Sequence, residues 1–510
     1  MAIVEQLEPT ADGRRRLELR SPATRERVGE IEVSTADDVA AALATARAAQ
    51  PGWAARPISE RAAIIRNAVS VLLKRRDEIV ETVMQETGKP RVEALAVEMV
   101  PACDFLNYWS GRAPKDLADE NRRLHGYMLP LKKLVINYQP LGVVGVITPW
   151  NGPFILSLNP IAQALLAGNS VVLKPSEVTP HSGEWAVKVL HEAGVPKDVL
   201  QIVHGDGETG AALVNGDIDK ISFTGSVGTG KKIAAACATR LIPCTLELGG
   251  KDAMIVCADA DLDRASLGAV YLSMFNTGQV CVGVERIYVV ESIADEFIEQ
   301  VRKRAAEVTY GVGKDVGPLF WDRQLEIVEK HVEDARSKGA TILLGGESDT
   351  AEGVFFKPTV VVDVTHDMDL MQQETFGPIV AIMRVRDEEE AVRMANDCQY
   401  GLSGSVFTKD KAKVVRLAKQ LKTGSVVQND ASVIYGVAEA PFGGRKDSGM
   451  GQVNGRDALR SFVHPQPVLL DRWGLKKENI WYPYSEATAA TLEKTIGTLF
   501  GNKFLRRLVR

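Results

Sequence analysis

The sequence predicts an α/β fold in which two doubly wound domains each contain a parallel sheet. From residue 141 onward, short apolar runs alternate with segments of helical periodicity, and this order is typical of βαβ units. Near residue 250 the alternation begins again with new segment lengths. A chain of 510 residues is also too long for one ordinary core, so at least two domains are expected.

Helices are predicted over most of residues 37–120, because apolar residues recur there at helical spacing, and KLVINYQP at 133–140 is predicted to be a strand. In the first alternating region the predicted strands are LGVVGVITPW, SVVLKPS, VLQIVHG and KISFTG. The predicted helices between them are PFILSLNPIAQALLAGN, HSGEWAVKVLHEAG and GETGAALVNG. Helices between successive strands indicate βαβ units and a parallel sheet.

The second alternating region is predicted to form another α/β domain. Its predicted strands are DAMIVCA, ERIYVVES, ATILLGG, KPTVVVDV, PIVAIMRV, GSVFT and GSVVQN. Its predicted helices are DLDRASLGAVYLSMF, ADEFIEQVRKRAAEV, DRQLEIVEKHVEDARSK, DEEEAVRMANDC and KAKVVRLAKQLKT. Two such domains create a crevice between them, which is a usual place for a ligand.

The composition is that of an ordinary globular protein, with 45% hydrophobic and 25% charged residues. The net charge of −5 gives no indication of nucleic-acid binding. Six Cys without a C-x-x-C pair predict free thiols in a reducing compartment, so a cytoplasmic location is expected. We predict no signal peptide and no membrane-spanning run, and the scattered His residues predict no metal site.

The stretch FTGSVGTGKK, residues 223–232, has nearly the spacing of a phosphate-binding P-loop. Gly225, Gly230 and Lys231 fit that pattern, but Lys232 replaces the hydroxyl residue that would ligate Mg²⁺. A Gly-rich turn between strand KISFT and helix GKKIAAACA still favours a phosphate of any kind at the helix N-terminus. The spacing leaves three alternatives open, which are an NTPase, another phosphate ligand and a plain tight turn.

Six further stretches stand out for their chemistry. They are ITPWNGPF (147–154), LKPSE (173–177), LELGGKD (246–252), GQVCVG (278–283), ETFGP (374–378) and PFGGRKDSG (441–449). Each is weak alone, but in this order and at these spacings they resemble the NAD(P)-dependent aldehyde dehydrogenase superfamily, over roughly residues 20–465. The resemblance implies two Rossmann-like domains, one cofactor-binding and one catalytic, and a small β oligomerisation flap.

The resemblance also implies where these parts begin and end. The expected NAD-binding domain comprises residues 1–121 and 141–249, and the expected catalytic domain comprises residues 250–450. Residues 122–140 and 465–475 are expected to be oligomerisation strands of a homodimer or homotetramer. Residues 476–510 are expected to form an amphipathic C-terminal tail.

Three catalytic residues follow from the resemblance. Cys281 is the implied nucleophile, whose thiolate attacks an aldehyde, although a buried structural role is the usual interpretation of a single Cys. It lies between a Gly-containing loop and a strand, where a thiol can be exposed. Glu247 is the implied general base that activates water to release a free acid, against the alternative of a surface or salt-bridged glutamate. Asn151 is the implied oxyanion donor, together with the Cys281 backbone N–H, against the alternative of a turn residue.

The implied cofactor is NAD. Gly225 and Ser226 would lie against the pyrophosphate, and Glu374 with Phe376 would hold the nicotinamide ribose and ring. Glu177 would accept from the 2′-hydroxyl of the adenosine ribose and repel a 2′-phosphate, which favours NAD over NADP. The full set of expected cofactor-binding residues is Ile147, Thr148, Pro149, Trp150, Lys174, Ser176, Glu177, Gly207, Gly225, Ser226, Leu248, Glu374 and Phe376.

The expected substrate pocket is apolar. Its residues are Gly152, Phe154, Leu156, Val280, Val282 and Phe442. Because the sequence offers no obvious Arg for a second carboxylate, we predict a neutral aldehyde, medium or long aliphatic or aromatic. A succinate-semialdehyde-type dehydrogenase is one alternative, and a non-catalytic structural or binding relative is another.

The end of the chain, TLEKTIGTLFGNKFLRRLVR, carries apolar residues at near-helical spacing and a basic terminus. One interpretation is a membrane-surface helix over residues 488–510, which would suit a lipid-derived aldehyde. The other is a helix docked on the body or on a neighbouring subunit. Gly497 and Gly501 weaken a free helix by roughly 1 kcal/mol each, which favours docking.

Overall fold

The structure is a computed structural model that describes residues 2–11, 13–125, 128–129, 131–478 and 480–508. The chain divides into two compact units. The first comprises Met1–Pro114 and Leu141–Phe462, and the second comprises Lys115–Pro140 and Val463–Arg510. Among the described residues, no helix combines the length and apolar character that crossing a membrane requires.

The strands of the described residues are β1 (Val4–Leu7), β2 (Arg16–Arg20), β3 (Arg27–Glu32), β4 (Glu120–Arg122), β5 (Lys132–Pro140), β6 (Val143–Ile147), β7 (Ser170–Lys174), β8 (Leu200–Ile202), β9 (Lys220–Thr224), β10 (Cys244–Glu247), β11 (Ala253–Val256), β12 (Arg286–Val290), β13 (Thr341–Leu344), β14 (Ser348–Asp349), β15 (Phe355–Phe356), β16 (Thr359–Val362), β17 (Ile379–Val385), β18 (Gly404–Phe407), β19 (Val427–Gln428), β20 (Gly449–Met450) and β21 (Val463–Asp471). The helices are α1 (Ala36–Ala54), α2 (Ile58–Thr87), α3 (Arg91–Glu93), α4 (Val100–Asp116), α5 (Ile155–Leu166), α6 (Pro180–Ala193), α7 (Gly207–Asn215), α8 (Val227–Arg240), α9 (Leu262–Met274), α10 (Glu291–Glu307), α11 (Asp322–Ser337), α12 (Asp369–Gln372), α13 (Glu388–Asn396), α14 (Lys411–Ala418), α15 (Gly455–Arg460), α16 (Glu486–Gly501) and α17 (Lys503–Leu508). The predicted strands and helices of both alternating regions are present, with ends shifted by a few residues.

The first large sheet has the strand order β20-β10-β9-β6-β7-β8. Every neighbouring pair is parallel except β20 with β10. Strands β6 and β7 are buried at every residue, which explains their continuous apolar sequences. The chain proceeds outward from β6 to β7 and β8, and then returns to β9 on the other side of β6. The carboxyl ends of β6 and β9 therefore form a topological switch point, where ligands of doubly wound sheets bind.

The second large sheet has the order β13-β16-β17-β12-β11-β18-β19 and is parallel apart from β13. Strands β11 and β12 pair in parallel, and β18 lies on the other side of β11. Apolar side chains on both faces of this sheet pack against helices, so the strands are covered on both sides. The predicted α/β class is thus confirmed for both alternating regions.

A three-stranded antiparallel sheet of β1, β2 and β3 precedes the helices, and the sequence analysis did not predict it. Leu17 and Leu19 of β2 are buried, whereas Arg16, Glu18 and Arg20 are ion-paired. This alternation of apolar and charged residues in RLELR was the available signal.

The second compact unit contains an antiparallel sheet with the order β21-β5-β4. Strands β21 and β5 pair over nine residues, from Val463 with Pro140 to Asp471 with Lys132. The strand expected at residues 465–475 thus begins and ends earlier. Helices α16 and α17 form the tail, and Asn502 separates them.

Candidate active site

A cleft of about 820 Å³ lies in the first compact unit, at the switch point of its first sheet. The loops that follow β6, β7, β9 and β10 supply one part of its lining. The loops that precede β12 and β17 supply another part, so the carboxyl ends of the first sheet face the amino ends of the second. The two sheets thus contribute opposite strand ends to one site.

All expected catalytic and cofactor-binding residues line this cleft. Of the expected pocket residues, Leu156 lines it as well. Phe154 is fully buried instead, and Val282 and Phe442 form an apolar cluster with which Val280 and Cys281 pack. Gly152 is not among the described lining residues, and a β-carbon there would touch Leu156 at 3.2 Å. Cys281 therefore lines the cleft and also packs against an apolar cluster.

Cys281 lies in the loop before β12, and its residue is half-buried rather than exposed as the sequence suggested. Burial raises the pKa of its thiol, and the carboxylates of Glu247, Asp252 and Glu374 raise it further. The backbone N–H of Val282 donates to the sulfur and acts in the opposite direction. The resting thiol is therefore protonated, and a nucleophilic role requires a nearby base.

Glu247 ends β10, where its backbone pairs with Thr224 and Gly449. The residue is 4% exposed, and neither carboxylate oxygen has a hydrogen-bond partner among the described residues. Burial raises its pKa well above the ordinary range. A buried carboxyl group without a partner is costly for stability. Its position on the cleft therefore makes it a candidate for proton transfer.

Asn151 follows β6, and its side-chain Nδ2 donates to the backbone oxygen of Gln279 at 3.0 Å. Its own backbone oxygen accepts from Lys89 Nζ and Asn276 Nδ2, each at 3.1 Å. These bonds tie the loop after β6 to the loop that carries Cys281. A primary amide has two N–H groups, so a second donor remains for a ligand.

The loop before Cys281 has an unusual backbone. Asn276 and Thr277 have φ of 54° and 59°, values in the left-handed region that non-glycine residues rarely adopt. The backbone N–H of Asn276 donates to Glu93 Oε1 at 2.9 Å. A β-carbon on Gly278 would overlap the backbone of Gly377, which leaves room for glycine alone. The strain is thus held in place by contacts on two sides.

The segment Ala94–Met99 is a π-helix between α3 and α4. Lys89 and Glu98 form an ion pair at 3.1 Å with side chains 1% and 0% exposed. Glu98 Oε2 also accepts from the backbone N–H of Ile155 at the start of α5. Burial raises the pKa of Glu93 to about 7, against the hydrogen bond from Asn276. These carboxylates were not predicted from the sequence. The structure shows them around a π-helical turn, a feature that often occurs at functional sites.

Close packing explains the two glycines of LELGG. A β-carbon on Gly249 would overlap the carboxylate of Glu374, and one on Gly250 would lie 2.5 Å from the backbone oxygen of Cys281. The backbone N–H of Gly250 donates to Glu374 Oε1 at 2.9 Å. Burial and then repulsion from Glu285 raise the pKa of Glu374 to about 8. Residues without side chains thus let three parts of the site meet.

The glycine loop connects β9 to α8, with Ser226 as the N-cap. The backbone N–H of Gly225 donates to the backbone oxygen of Glu247 at 3.0 Å, which fixes the loop beside the candidate base. Lys231, the residue that would hold phosphates in a P-loop, pairs with Asp447 at 2.6 Å and is not among the described lining residues. This arrangement argues against an NTPase and makes the N-terminus of α8, which Ser226 caps, a candidate site for another anion.

Glu177 and Lys174 lie together on the cleft after β7. Lys174 Nζ is 3.4 Å from Glu177 Oε2 and donates to the backbone oxygen of Pro175 at 3.2 Å. The side chain of Glu177 is 24% exposed, so its carboxylate is reachable from the cleft. A fixed negative charge at this position repels a ligand phosphate.

Several cleft residues were not expected from the sequence. They are Asp206, Gly210, Thr224, Thr229, Lys232, Gly249, Trp321, Arg323, Gln324 and Ile327, among others. Arg323 is an arginine on this cleft that was not expected from the sequence. It lies in the first turn of α11 with its guanidinium 5.8 Å from the Trp321 ring centre. Helix α11 begins 39 residues after GQVCVG and ends 37 residues before ETFGP, so no motif indicated that it reaches the cleft.

A possible metal cluster lies elsewhere, at the carboxyl end of β11. Cys257, Asp259 and Glu388 lie close together there. Lys413 Nζ donates to Asp259 at 2.7 Å and to Glu388 at 2.8 Å. The ammonium group therefore already occupies the position of a cation in this cluster.

Comparison with known proteins agrees with this geometry. The sequence matches the model of the aldehyde dehydrogenase family over residues 9–468. A relative in Mycolicibacterium smegmatis, named "Putative succinate-semialdehyde dehydrogenase [NADP(+)]", is 42% identical over 87% of this chain and 86% of its own. The 4,4'-diapolycopene aldehyde oxidase of Methylomonas sp is 38% identical over 94% of this chain and 91% of its own.

Solved structures give the same result. The aldehyde dehydrogenase of Mycobacterium tuberculosis, solved with NAD+, has a TM-score of 0.86 at 37% identity and covers 91% of this chain and 96% of its own. The NAD+ complex of an aldehyde dehydrogenase from Bacillus cereus has a TM-score of 0.85 at 34% identity, covering 92% and 93%. The chain belongs to the aldehyde dehydrogenase family. It is thus an oxidoreductase with two Rossmann-like domains and a nicotinamide cofactor.

The cleft fits such a cofactor. The N-terminus of α8 at Ser226 offers backbone donors for a pyrophosphate. Glu177 and Glu374 present two carboxylates that can accept from ribose hydroxyls. Trp150 and Phe376 meet edge to face at 5.6 Å and give the same cleft an aromatic wall. Polar and aromatic groups suited to each part of a dinucleotide are therefore present.

Proposed function

We propose that this enzyme catalyses the NAD-dependent oxidation of a neutral aldehyde to the carboxylic acid through a thioester on Cys281. The observation that carries the proposal is the carboxyl group of Glu247. It is buried without a hydrogen-bond partner among the described residues, on the same cleft as Cys281. It is also close enough that its charge raises the pKa of the thiol. A base and a nucleophile so placed support hydrolytic acyl chemistry.

The first step transfers the thiol proton of Cys281 to Glu247. The thiolate then attacks the carbonyl carbon of the aldehyde, a C–S bond forms, and the carbonyl electron pair moves onto oxygen. Asn151 is placed to donate an amide N–H to this oxyanion, because its anchoring bond to Gln279 leaves a second N–H. Burial raises the pKa of Glu247, which makes its carboxylate a stronger base than an ordinary glutamate.

When bound, NAD+ supplies the hydride acceptor that converts the thiohemiacetal to the thioester. Gly225, Ser226, Glu374 and Phe376 would hold it. Glu247 must first release the Cys281 proton to solvent. It then takes a proton from water, the hydroxide adds to the thioester carbon, and Cys281 leaves as the thiolate. The products are a free carboxylic acid and the regenerated nucleophile.

A neutral, medium or long aliphatic or aromatic aldehyde is the proposed substrate. The support is the apolar cluster of Val282, Leu402 and Phe442, against which Cys281 packs. One relative is named for 4,4'-diapolycopene aldehyde. Apolar contacts beside the reacting carbon favour a hydrocarbon chain over a charged one.

Succinate semialdehyde is the second candidate, and two observations favour it. Several relatives carry that substrate in their names. Arg323 lies on the cleft and is exposed, so it can bind a carboxylate. If this candidate is right, Arg323→Gln lowers kcat/KM for succinate semialdehyde and leaves hexanal unchanged.

NAD is proposed over NADP because of Glu177. Its carboxylate lies on the cleft and is only partly neutralised by Lys174 at 3.4 Å. A 2′-phosphate beside it would meet repulsion, whereas a 2′-hydroxyl would donate a hydrogen bond. The NADP(+) in the names of relatives makes this a property to be measured for this chain.

A homodimer or homotetramer is proposed for assembly. Strand β4 lies at the edge of the sheet in the second unit, and β21 on the opposite edge is largely exposed. Unpaired strand edges of this kind recruit further strands. Light scattering of the purified protein measures the number of subunits.

The test is formation of NADH by the purified protein with hexanal, benzaldehyde and succinate semialdehyde. We expect turnover with the neutral aldehydes, loss of it in Cys281→Ala, and retention of it in the matched control Cys103→Ala. Equal turnover in Cys281→Ala would overturn the assignment of the nucleophile. A larger kcat/KM for succinate semialdehyde than for both neutral aldehydes would overturn the proposed substrate class.

A further inference from the structure

The C-terminal tail, defined as residues 472–510, lies beyond the family match, which ends at residue 468. The Mycobacterium tuberculosis enzyme is matched over 96% of its own length while 9% of this chain remains outside the match. The family match therefore does not include the tail. We propose that the tail binds the surface of a membrane rich in anionic lipid. This inference goes beyond the proposed function and does not depend on the substrate.

Charge is the first observation. The tail contains eight Lys or Arg and three Asp or Glu, so its formal net charge is +5. Since the whole chain carries −5, the remaining residues 1–471 carry −10. After Glu493 the sequence has no further acidic residue, and five basic residues follow. Such a basic segment is attracted to anionic headgroups, whereas the acidic body is repelled by them.

An apolar stripe on α16 is the second observation. Leu492, Ile496 and Phe500 follow each other at intervals of four residues, which places them on one face. They are 45%, 59% and 48% exposed, and none of the described side chains of α16 is buried. Glu493 and Lys494 lie on other faces of the helix. An exposed apolar stripe opposite charged residues is the pattern of a helix that lies in a membrane interface.

Exposed aromatic residues are the third observation. Trp473, Trp481, Tyr482 and Tyr484 lie before α16 and are 55–77% exposed, and Phe504 in α17 is 69% exposed. Trp and Tyr are enriched at the level of lipid headgroups, because their rings are apolar and their N–H or O–H groups remain hydrated. The tail thus combines interfacial aromatics, an apolar stripe and positive charge.

A second copy of the chain is the rival occupant of this surface. Lys is depleted at the cores of protein interfaces, and Lys503 follows the apolar stripe at its carboxyl end. The rival predicts that removal of the tail changes the number of subunits. The membrane proposal predicts that it does not.

The experiment is co-sedimentation of the full-length enzyme with vesicles of phosphatidylcholine alone or mixed with phosphatidylglycerol. We expect binding to the mixed vesicles, weakening of that binding by salt, and loss of it in a variant that ends at residue 471. Phe500→Ser with Phe504→Ser tests the apolar part, and exposed Leu73→Ser in α2 is the matched control. Lys503→Gln with Arg506→Gln is expected to weaken binding by about 25-fold.

Two further measurements separate the outcomes. Turnover of propanal by the shortened variant reports whether the active site is intact. If turnover is retained while vesicle binding is lost, the membrane proposal and the proposed function are tested separately. Light scattering reports the number of subunits. Equal vesicle binding with and without the tail, or no binding by the full-length enzyme, overturns the proposal. A lower subunit number in the shortened variant overturns it in favour of contact between copies.

Discussion

Glu93 and Glu98 stand five residues apart around a π-helical turn, and each carboxylate holds one of the two loops that carry the candidate catalytic residues. Glu93 accepts from the backbone N–H of Asn276, ahead of Cys281, at 2.9 Å. Glu98 accepts from Ile155, beyond Asn151, at 2.9 Å and pairs with Lys89. One irregular turn of helix thus positions both the nucleophile loop and the oxyanion loop.

Removing the charge of Glu98 is expected to damage both stability and catalysis. Glu98→Gln leaves the buried ammonium of Lys89 unpaired, which costs about 3–5 kcal/mol of unfolding free energy. Because Lys89 also donates to the backbone oxygen of Asn151, kcat is expected to fall more than KM rises. Urea unfolding and steady-state kinetics measure the two effects. The double variant Lys89→Met with Glu98→Met should recover much of the stability but little of the activity, and full recovery of kcat would contradict the positioning role.

Glu247→Gln is expected to separate acylation from hydrolysis. A neutral amide cannot take a proton from water, so thioester breakdown should slow by about 10²–10⁴-fold. The wild-type kcat should rise with pH as Glu247 ionises, since its pKa is raised and the carboxylate form is the active base. That rise should be displaced above the range of an ordinary glutamate and be absent from the variant. A pH–rate profile with the same rise in both proteins would show that another group is titrating.

Asn151→Ala is expected to lower kcat by about 10²–10³-fold, because one oxyanion donor is lost. The same change removes the bond from Nδ2 to Gln279, so loosening of the nucleophile loop is a competing explanation. Asn276→Ala is the matched control, since its Nδ2 also bonds to the backbone oxygen of Gln279 at 3.0 Å. A drop in kcat of equal size in the two variants would indicate loop positioning alone.

Glu177→Gln is expected to raise kcat/KM for NADP relative to NAD by about tenfold, or about 1.4 kcal/mol. The change removes the negative charge that faces a 2′-phosphate and keeps the hydrogen-bonding shape of the side chain. Glu192→Gln is a control, because Glu192 pairs with Arg75 and is not among the described lining residues. An unchanged ratio of the two cofactors in Glu177→Gln would place the discrimination elsewhere.

Glu184 should make stability depend on pH. Burial alone would raise its pKa, but hydrogen bonds from His181 and His204 outweigh burial and hold the pKa well below the ordinary 4.5. Its contribution is therefore present above 4.5 and lost as pH falls. The pKa of His181 is raised above 6.5, chiefly by its hydrogen bond with Glu184, so that contribution is full below 6.5 and lost as pH rises.

The lowered pKa of Glu184 and the raised pKa of His181 together define a pH range, between the ordinary pKa values of 4.5 and 6.5, in which both contributions to stability are present. Unfolding by urea should show the largest loss in Glu184→Gln at about pH 5.5 and a smaller loss at about pH 8. The expected loss at the lower pH is about 1–3 kcal/mol. A loss that grows with pH would contradict the assignment of His181 as the charged partner.

The sequence predicted the elements that depend on local patterns. Continuous apolar runs identified β6 and β7. The resemblance of short motifs to the aldehyde dehydrogenase superfamily identified Cys281, Glu247 and Asn151, which all line the cleft. It did not predict the β1–β3 sheet, whose alternation is short. It also gave no account of Glu93, Glu98 or Arg323, because these side chains reach the site through contacts across more than 40 residues of sequence.

The environment of Cys281 shows a second limit. A position between a Gly-containing loop and a strand suggested an exposed thiol, yet the residue packs against Val282 and Phe442. Exposure depends on tertiary packing, and the residues that cover the thiol come from segments about 160 residues apart. The sequence thus predicts which residue lies at the site more readily than how far that residue is buried.

Glu247 ends a strand of the first sheet, and Cys281 precedes a strand of the second. No secondary-structure element contains both residues. The alignment of base and thiol therefore depends on how the two large sheets of the first unit pack with their helices. A slight separation would disconnect proton transfer while every helix and strand stayed intact. Mild denaturant or pressure should therefore abolish activity reversibly before circular dichroism shows any loss of secondary structure. Catalytic activity thus reports on the contact between the two sheets of the first unit.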